Sequence, residues 1–213
     1  MISIIIRNKN EANFIGYAIQ SCIDQFSDPE IIIVDDDSID DSYKVVSLFD
    51  RVDMNFLKLD KRYSPGYSIN YGVANAKFEN ILLLSAHCQI LQINNFKDNV
   101  LKNLDQYCAV FGKQIPIYRG KKITQRYISS HFKNEIEENM FSKIEGRNFL
   151  HNAFSFYRRD FLLEFPFDES LSGKEDRYWA IDRVKEGKKY LYNPNLICNH
   201  FYTKNGATWK GIG

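Results

Sequence analysis

Carboxylates cluster directly after an apolar run near the start of the chain. The sequence VDDDSIDDS spans residues 34–42 and includes Asp36. A carboxylate at the carboxyl end of a strand can accept hydrogen bonds from a ligand, for example from a base imide or from ribose hydroxyls. The same residues also suit a helix N-terminus, where acidic side chains cap free backbone N–H groups. The residues alone leave both interpretations open.

A second polar cluster ends the apolar run at residues 81–84. Ser85, Ala86, His87 and Cys88 follow the sequence ILLL without a break. Four bulky aliphatic residues followed by small polar ones are typical of a buried strand that delivers side chains to a site. A histidine in this position suits a ligand or a metal ion, and the alternative is a hydrogen-bonded structural histidine.

A third cluster is the pair Glu175-Asp176 in the segment SGKEDRYWA. A positioned carboxylate can act as a general base that takes a proton from an attacking hydroxyl. Lys174 and Arg177 flank the pair, and we expect them to keep it ionised. Alternating charges at the exposed start of a helix are the simpler interpretation.

Alternating strands and helices must position these clusters. We expect Asn8 or Asn10 to cap the first helix and Asp37 or Ser38 to cap the second. Pro65 is expected to open the third helix. Apolar residues at three- and four-residue spacing predict helices that begin near residues 15, 38, 65 and 96. Continuous apolar runs predict strands at residues 2–6, 30–34, 54–59, 81–84 and 108–112.

The pattern changes after residue 113. Residues 119–147 are charged and predict helices and mobile loop rather than sheet, whereas a helix near 179–186 and a strand within 188–193 follow later. The alternation predicts an α/β fold with a mostly parallel, doubly wound central sheet and a more irregular C-terminal half. Right-handed crossovers place the loops after the strands on one edge of such a sheet, where ligands bind.

Composition excludes several classes of protein. A net charge of +1 over 213 residues gives no argument for a nucleic-acid partner. The four cysteines form no C-x-x-C pair, so a structural zinc site is not expected. We expect them to be reduced thiols of a cytosolic protein. No apolar stretch approaches the roughly 18 residues of a membrane span. We therefore expect a cytoplasmic protein, with membrane contact only as a peripheral association at the inner face of the cytoplasmic membrane.

Four segments in order resemble family 2 glycosyltransferases of the GT-A fold. They are SIIIRNKNEANFIGYAIQSCIDQ, EIIIVDDDSIDDS, RYSPGYSINYGVANAKFENILLLSAH and FDESLSGKEDRYWAIDRVKEG. The resemblance spans residues 2–202 and is weakest over 115–150. It implies one GT-A domain over residues 1–213, with a nucleotide-sugar-binding half at 1–113 and an acceptor-binding half at 114–213.

The resemblance implies a nucleotide-sugar donor. Asp36 matches the position that contacts the base, and sheet-edge loops supply the fixed polar partners that a base edge needs. Gly66 and Asn70 belong to the G-x-x-x-N-x-G core of the third segment. The residues expected to bind the donor are Arg7, Asn8, Glu11, Asp36, Gly66, Asn70, Ser85 and His87.

In the family, an aspartate-any-aspartate motif after the fourth strand holds a divalent ion that bridges the two donor phosphates. Here Ser85 and His87 stand at those positions, so both carboxylates are missing. Mg²⁺ and Mn²⁺ prefer oxygen ligands. His87 can still supply one ligand to Mn²⁺ together with His200, which matches a late histidine of the family. The alternative is that His87, or a nearby lysine or arginine, neutralises the leaving diphosphate without a metal.

The resemblance also assigns the catalytic side. Asp176 matches the base of an inverting transfer, and Glu175 supports it. Trp179, one turn further, is expected to stack on an acceptor sugar, with core packing as the alternative, and Lys174 is expected on the acceptor side. The implied acceptor is a saccharide or lipid-linked saccharide of a bacterial surface polymer, such as a capsule or a lipopolysaccharide.

Other interpretations remain beside this one. A nucleotidyltransferase would need an early glycine-rich phosphate loop, and a dinucleotide oxidoreductase would need G-x-G-x-x-G; SIIIRNKNE contains no glycine. A non-catalytic, degenerate sugar-nucleotide-binding module stays open because the metal-binding carboxylates are missing. The basic stretch RGKKITQR at residues 119–126 suits an anionic lipid surface or a diphosphate-linked lipid, or is a solvated loop. The oligomeric state is not specified by the sequence.

Overall fold

The structure is a computed structural model that describes residues 1–49, 53–122 and 131–204. None of the helices in these ranges is both long and apolar enough to cross a membrane. A π-helical turn, Lys97–Leu101, precedes the short helix Lys102–Leu104. The elements are β1 (Ile2–Asn8), α1 (Ile15–Gln25), β2 (Glu30–Asp35), α2 (Ser42–Val46), β3 (Met54–Lys58), α3 (Pro65–Ala74), β4 (Asn80–Ser85), β5 (Cys88–Ile93), α4 (Lys102–Leu104), β6 (Val110–Tyr118), β7 (Lys121–Lys122), β8 (Glu137–Glu138), β9 (Phe141–Ser142), β10 (Arg147–Asn148), β11 (Phe154–Arg158), α5 (Arg159–Glu164), α6 (Glu175–Lys185) and β12 (Leu191–Phe201).

The central sheet has the strand order β3-β2-β1-β4-β11-β6-β12-β5. β1 runs parallel to β2 and β4, and β2 runs parallel to β3. β11 is antiparallel to both of its neighbours, β4 and β6, whereas β12 is parallel to β6 and antiparallel to β5. The predicted fold class, a mostly parallel central sheet flanked by helices, is confirmed.

Both faces of the sheet are covered. Successive residues of a strand point to opposite faces. In β1, Ile2, Ile4 and Ile6 join one apolar cluster with α1, whereas Ile5 joins a second cluster with Ile69 of α3. Burial on both faces explains why the central strands are continuous apolar runs in the sequence.

The start of α3 agrees with the sequence prediction. Ser64 is the N-cap residue, and its hydroxyl accepts a hydrogen bond from the backbone N–H of Tyr67 at 3.1 Å. Pro65 occupies the first helical position, where its missing N–H has no intrahelical partner to lose.

The predicted caps of α1 are wrong. The helix begins after Phe14, which makes no side-chain capping bond. Asn8 belongs to β1, and the side-chain oxygen of Asn10 accepts a hydrogen bond from the backbone N–H of Ile39 at 2.8 Å. Both asparagines therefore connect this loop to the acidic loop after β2.

The second helix is shorter and begins later than predicted. α2 starts after Asp41, and neither Asp37 nor Ser38 caps it. Ser38 instead donates its hydroxyl to Asp35 at 2.6 Å, which closes a tight turn after β2. Ile39, expected on the buried face of the helix, is 91% exposed because it lies in that turn.

The chain after β4 also differs from the prediction. The sequence indicated a helix around residues 96–104, but β5 comes first and the helix is reduced to the π-helical turn and α4. β5 is antiparallel to β12, with Ile93 opposite Leu196. Because its partner lies more than a hundred residues downstream, local periodicity could not reveal this edge strand.

Within the described part of residues 119–147, helices are replaced by short strands. β7 pairs with β6, β8 pairs with β12, and β9 pairs with β10. β6 and β12 also extend well beyond the strands predicted at 108–112 and 188–193. Residues 123–130, which include the end of the basic stretch, and the tail from residue 205 lie outside the described residues.

Candidate active site

The carboxyl ends of β1, β2 and β4 lie side by side and place three of the polar clusters together. Arg7 of β1 pairs with Val34 on one side and with Ser85 on the other. The backbone N–H of Asp36 donates to the carbonyl of Asn8 at 3.0 Å, which extends this edge beyond the strands. Ser85 itself is 8% exposed.

Arg7 connects the sheet edge to the start of α6. Its Nη1 lies 3.3 Å from Oε1 of Glu175, and the two side chains are 17% and 6% exposed. Burial alone would lower the pKa of Arg7, but Glu175, Tyr63 and Asp176 together outweigh it and raise that pKa. The Nε atom of Arg7 is buried and has no hydrogen-bond partner among the described residues. A half-buried guanidinium with an unused donor suits an anionic ligand.

The neighbouring carboxylates of α6 have different surroundings. Oδ2 of Asp176 accepts from the backbone N–H of Asn152 at 3.0 Å and from Nη1 of Arg177 at 2.8 Å. Oδ1 of Asp176 accepts from the backbone N–H of Arg177 at 2.8 Å. Burial and the adjacent Asp176 raise the pKa of Glu175 to about 7, despite the opposing effect of Arg7.

The flanking cations do not keep both carboxylates ionised as expected. Lys174 is exposed in a left-handed conformation just before α6, and Arg177 is directed at Asp176 and at the carbonyl of Leu150. The expectation is therefore wrong for Glu175, because burial and the charge of Asp176 dominate its pKa. Lys174 lies beside the pair with its side chain open to solvent, so an acceptor could reach it.

The first two carboxylates after the start of the acidic loop have different surroundings. Asp35 is buried and accepts hydrogen bonds from Nδ2 of Asn8 at 2.7 Å and from Ser38. Asp36 is partly exposed, and its Oδ2 lies 3.6 Å from Nζ of Lys9. Asn8, expected to line the nucleotide pocket, is 3% exposed and directs its amide at Asp35. Asp36 is therefore accessible to a ligand at this edge of the sheet, whereas Asp35 is not.

Tyr63 is a partly exposed residue that interacts with the charges of the candidate site and was missed in the sequence. Burial raises the pKa of Tyr63, Arg7 opposes this, and Glu175 and Asp36 raise the pKa further. The charges of Arg7, Glu175 and Asp36 therefore all act on the Tyr63 hydroxyl. A single tyrosine in RYSPG carries no signal that could have identified it.

His87 and His200 face each other near this edge. Their Nε2 atoms are 3.1 Å apart, and the rings stack with centroids 5.0 Å apart. Nδ1 of His87 lies 3.3 Å from Oε1 of Glu11, which also accepts from the hydroxyl of Thr203 at 2.7 Å. Nδ1 of His200 lies 2.8 Å from Oε1 of Gln114. Burial drives the pKa of His200 well below its ordinary value.

The two imidazoles fit a divalent ion that takes only part of its coordination from the protein. When the second ring nitrogen of a histidine donates to an oxygen acceptor, the first keeps its lone pair for a metal. His87 and His200 each have such an acceptor, in Glu11 and Gln114. Within the ranges that the structure describes, no group of three or more His, Cys, Asp or Glu residues is arranged to hold a metal ion. Diphosphate oxygens and water would have to complete the ligand set.

Gly66 and Asn70 hold the segment that leads to α6. Nδ2 of Asn70 donates to the carbonyl of Phe167 at 2.8 Å, and the backbone N–H of Phe167 donates to Oδ1 of Asn70 at 3.0 Å. A Cβ atom on Gly66 would collide with the carbonyl oxygen of Asp168. Both residues make these contacts within the protein, and their contacts with a donor stay a prediction. Residues of α3 thus hold the segment that begins with Phe167, Asp168 and Glu169 against the helix.

Trp179 packs in the core and does not form an acceptor surface. It is 4% exposed, and its Nε1 donates to the carbonyl of Phe165 at 2.8 Å. Tyr157 meets the ring edge-on and Phe167 stacks on it. The expected stacking on a sugar is wrong, because the buried ring already packs against the rings of Tyr157 and Phe167.

Open α/β sheets bind ligands outside the carboxyl ends of their strands, and this chain concentrates its half-buried polar residues there. It is thus a ligand-binding α/β protein of the GT-A type. The family model described as Glycosyl transferase family 2 matches residues 3–165, so the chain belongs to that family and contains a glycosyltransferase domain. The resemblance seen in the sequence is confirmed.

Two curated relatives cover most of the chain. The minor teichoic acid biosynthesis protein GgaA of Bacillus subtilis (strain 168) is 26% identical in an alignment of 202 residues that covers 89% of this chain and 44% of that protein. The GalNAc(5)-diNAcBac-PP-undecaprenol beta-1,3-glucosyltransferase of Campylobacter jejuni subsp. jejuni serotype O:2 is 25% identical in an alignment of 207 residues that covers 94% of this chain and 65% of that protein. The chain therefore spans about half to two thirds of the length of these relatives.

Solved structures share the fold at low sequence identity. TarS 1-349 of S. aureus in complex with UDP-GlcNAc superposes with a TM-score of 0.71 at 17% identity, over 100% of this chain and 61% of that one. GalNAc-T7 with UDP, GalNAc and Mn²⁺ gives a TM-score of 0.73 at 18% identity, over 97% and 44%. These similarities establish the GT-A fold of the chain.

Proposed function

We propose that this chain is an inverting glycosyltransferase that moves a sugar from a nucleoside diphosphate sugar to a saccharide or lipid-linked saccharide acceptor. The contact between Arg7 and Glu175 carries the proposal, because it joins the sheet edge assigned to the donor to the carboxylate pair assigned to the acceptor. The names of both curated relatives, which refer to teichoic acid and to a PP-undecaprenol glycan, support an acceptor in a bacterial surface polymer.

The domain is proposed to be single, with residues 1–113 as the donor half and 114–213 as the acceptor half. On the donor side, Asp36 accepts hydrogen bonds from the base, and the exposed part of the Arg7 guanidinium meets the diphosphate. Tyr63 forms part of the wall between them. A uridine nucleotide is the first donor to test, since the TarS structure contains UDP-GlcNAc.

Asp176 is the proposed proton acceptor. Its Oδ1 accepts from one donor, the neighbouring backbone N–H of Arg177, and each carboxylate oxygen has two lone pairs. Oδ1 can therefore accept the proton of an acceptor hydroxyl while that oxygen bonds to the anomeric carbon and the bond to the diphosphate breaks. A single displacement of this kind inverts the anomeric centre. Asn152 and Arg177 hold the carboxylate in place.

Charge on the leaving diphosphate needs a positive partner. Arg7 supplies one from the protein, and His87 and His200 would hold a divalent ion if one binds. Such an ion would neutralise negative charge on the phosphate oxygens as a Lewis acid. The GalNAc-T7 structure contains Mn²⁺, which makes it the first metal to test, with Mg²⁺ beside it. Neutralisation without a metal remains the alternative outcome.

The protein is further proposed to be cytoplasmic, with peripheral contact at the inner face of the cytoplasmic membrane. Arg119, Lys121 and Lys122 are exposed at the β6–β7 turn, and Tyr118 and Tyr202 next to them are each 40% exposed. Basic side chains attract anionic lipids, and tyrosines favour the headgroup region. A lipid-linked acceptor would be reached at such a surface.

A donor turnover assay tests the function. We expect the wild-type chain to release nucleoside diphosphate from a UDP-sugar, and Asp176→Asn to bind the donor but lose about 100- to 10,000-fold of this rate. Asp182→Asn, an exposed substitution on the same helix, serves as the control. If wild type and Asp176→Asn both bind donor and neither turns it over, the chain is the degenerate binding module suggested by Ser85 and His87.

A further inference from the structure

The turn before β11 supplies one of the hydrogen bonds that hold Asp176. The backbone N–H of Asn152 donates to Oδ2 of Asp176 at 3.0 Å, and Asn152 is fully buried. The two residues are 24 positions apart in the chain, so this bond depends on how the turn is held against α6. A residue that fixes the turn therefore also fixes a partner of the proposed base.

Two hydroxyl groups of β11 anchor the side chain of Asn152. Tyr157 donates its hydroxyl to Oδ1 of Asn152 at 2.5 Å, and Ser155 donates to the same oxygen at 3.0 Å. Among the described residues, Nδ2 of Asn152 has no hydrogen-bond partner, so these two bonds are the ones that hold the side chain. A hydroxyl can donate or accept, and the anchor is therefore the same for either orientation of the amide group.

Tyr157 also contacts the helix that carries Asp176. Its ring meets the ring of Trp179 edge-on, with the centroids 5.5 Å apart, and Trp179 lies about one turn after Asp176 on α6. The backbone of Tyr157 is held in the central sheet opposite Ile81 of β4. The residue is fully buried, so a substrate cannot touch it and any effect on the reaction must pass through its neighbours.

We propose that Tyr157 is a positioning residue: through Asn152 it holds the backbone N–H that fixes Oδ2 of Asp176, which keeps Oδ1 available to the acceptor hydroxyl. A small displacement of a group that acts on the reacting atoms slows the reaction even where substrate binding is unchanged. The effect on the rate rests on the proposed function, in which Asp176 takes the proton, whereas the contact itself is a property of the folded chain.

Tyr157→Phe, which removes the hydroxyl and keeps the ring, tests this role by kinetics. We expect kcat to fall about 3- to 10-fold, the equivalent of one hydrogen bond, with an unchanged KM for the nucleotide-sugar donor. Tyr192→Phe is the matched control, because Tyr192 is also fully buried and its hydroxyl donates to the carbonyl of Lys133 at 2.7 Å. Both variants should lose similar thermal stability, but only Tyr157→Phe should lose turnover. A wild-type kcat in Tyr157→Phe, or equal losses in both variants, would overturn the proposal.

A double-mutant cycle shows whether Tyr157 acts through Asp176. In Asp176→Asn no base is left to position, so adding Tyr157→Phe should lower the residual kcat no further. A hydroxyl with a purely structural role would lower kcat by the same factor in both backgrounds. Additive losses in the double variant therefore contradict the proposal.

Amide spectra of protein labelled with ¹⁵N-asparagine test the contact without any turnover. The Asn152 signal is assigned by its loss in Asn152→Ser. We expect its amide proton to move upfield in Tyr157→Phe and in Asp176→Asn, because its hydrogen bond to the carboxylate is weakened or lost, and to stay in place in Tyr192→Phe. An unmoved signal in Tyr157→Phe contradicts the positioning role.

The two readouts keep the proposal separate from the proposed function. If the Asn152 signal moves as expected but the wild-type chain turns over no donor, the contact stands and the glycosyltransferase mechanism fails. If Tyr157→Phe does not fold, Ser155→Ala removes the other hydroxyl at Oδ1 of Asn152 and is judged by the same kinetics and spectra. A wild-type kcat with an unmoved Asn152 signal in that variant overturns the anchor.

Discussion

At the scale of single residues, Glu175 and Asp176 show how neighbours in the chain acquire different chemistry. Asp176 accepts three hydrogen bonds, two of them from backbone N–H groups, and pairs with Arg177. Glu175 is buried beside that charge with one contact to Arg7 at 3.3 Å, and its pKa rises to about 7. Burial and the neighbouring charge of Asp176 therefore favour the protonated form of Glu175.

The raised pKa of Glu175 makes stability depend on pH. The folded state binds this proton more tightly than the unfolded chain, whose carboxyl has the ordinary pKa of 4.5, so the folded state loses stability as the pH rises from 4.5 to about 7. Glu175→Gln removes that loss. We expect its melting temperature to rise relative to wild type between pH 5 and pH 7.5 and to level off above, with Asp182→Asn as the control. A difference that stays constant with pH would contradict the assignment.

Trp179 belongs to the same scale, as a residue whose position decides its role. Trp179→Ala should lower the free energy of unfolding by about 3–5 kcal/mol, because it leaves a large cavity among aromatic rings and removes the bond to Phe165. Urea unfolding measures this. Tyr178→Ala, one residue away and 44% exposed in wild type, should cost far less. Equal costs for the two variants would argue against the core position.

At the scale of elements, α3 joins the donor side of the sheet to the segment before α6. Asn70 clamps both backbone polar groups of Phe167, and Gly66 lets the carbonyl of Asp168 approach the helix. α3 also packs on β1 and β2, which carry Arg7 and Asp36 at their ends. The placement of Glu175 and Asp176 relative to Arg7 therefore depends on this helix.

A methyl group at residue 66 tests that docking. Gly66→Ala should destabilise the fold by about 1–3 kcal/mol, because the new Cβ meets backbone that cannot move without shifting the segment. It should also weaken nucleotide binding by displacing Glu175 from Arg7. Gly173→Ala, whose Cβ would meet no atom within 4 Å, is the control. Urea unfolding of both variants gives the comparison, and equal stabilities would refute the close approach.

The elements also show what the sequence could predict. The sequence could predict β1, β2, β4, α1 and α3. Their burial gives a local apolar pattern, which is a continuous run in the strands and a three- and four-residue spacing in the helices, and α3 also has a serine cap and a proline start. β5 and β8 were not, since both pair with the distant β12. β7, β9 and β10 are two-residue strands of local pairs, too short to give a pattern in the sequence. α2 was misplaced because Ser38 serves Asp35 instead of a helix end.

The same distinction applies to the candidate site. Asp36 and His87 were proposed because they follow apolar runs, and Glu175 because its segment resembles the family's. Tyr63 and Gln114 were not, because only the folded chain brings them to Arg7 and to His200. Asn70 was assigned to the donor, but its amide is complementary to the backbone of Phe167, a contact that spans 97 positions in the chain.

At the scale of the whole molecule, one continuous sheet links both halves of the described chain, from β3 to the β12–β5 edge. Residues from β1, the β2 loop, β4 and α6 meet at its carboxyl edge. The proposed donor residues and the proposed base of the acceptor side therefore lie together in the described chain.

Ligand-dependent stability tests the donor site as a whole. A ligand that binds only the folded state raises the melting temperature by mass action. We expect UDP to raise it, Mn²⁺ with UDP to raise it further, and UMP, which lacks the second phosphate, to have a smaller effect. Thermal-shift measurements over a concentration series give these comparisons. Equal shifts with UMP and UDP would contradict a diphosphate subsite at Arg7 and the histidine pair.

The most direct test of the central claim is calorimetric titration of UDP into wild type and Asp36→Asn. The claim is that the nucleotide binds at the carboxyl edge of the sheet, with its base on Asp36. We expect Asp36→Asn to weaken binding about 10- to 100-fold, as for a lost hydrogen bond to a charged group. Asp37→Asn, an exposed neighbour whose left-handed backbone asparagine tolerates, should bind like wild type. Wild-type affinity in Asp36→Asn would show that the nucleotide lies elsewhere.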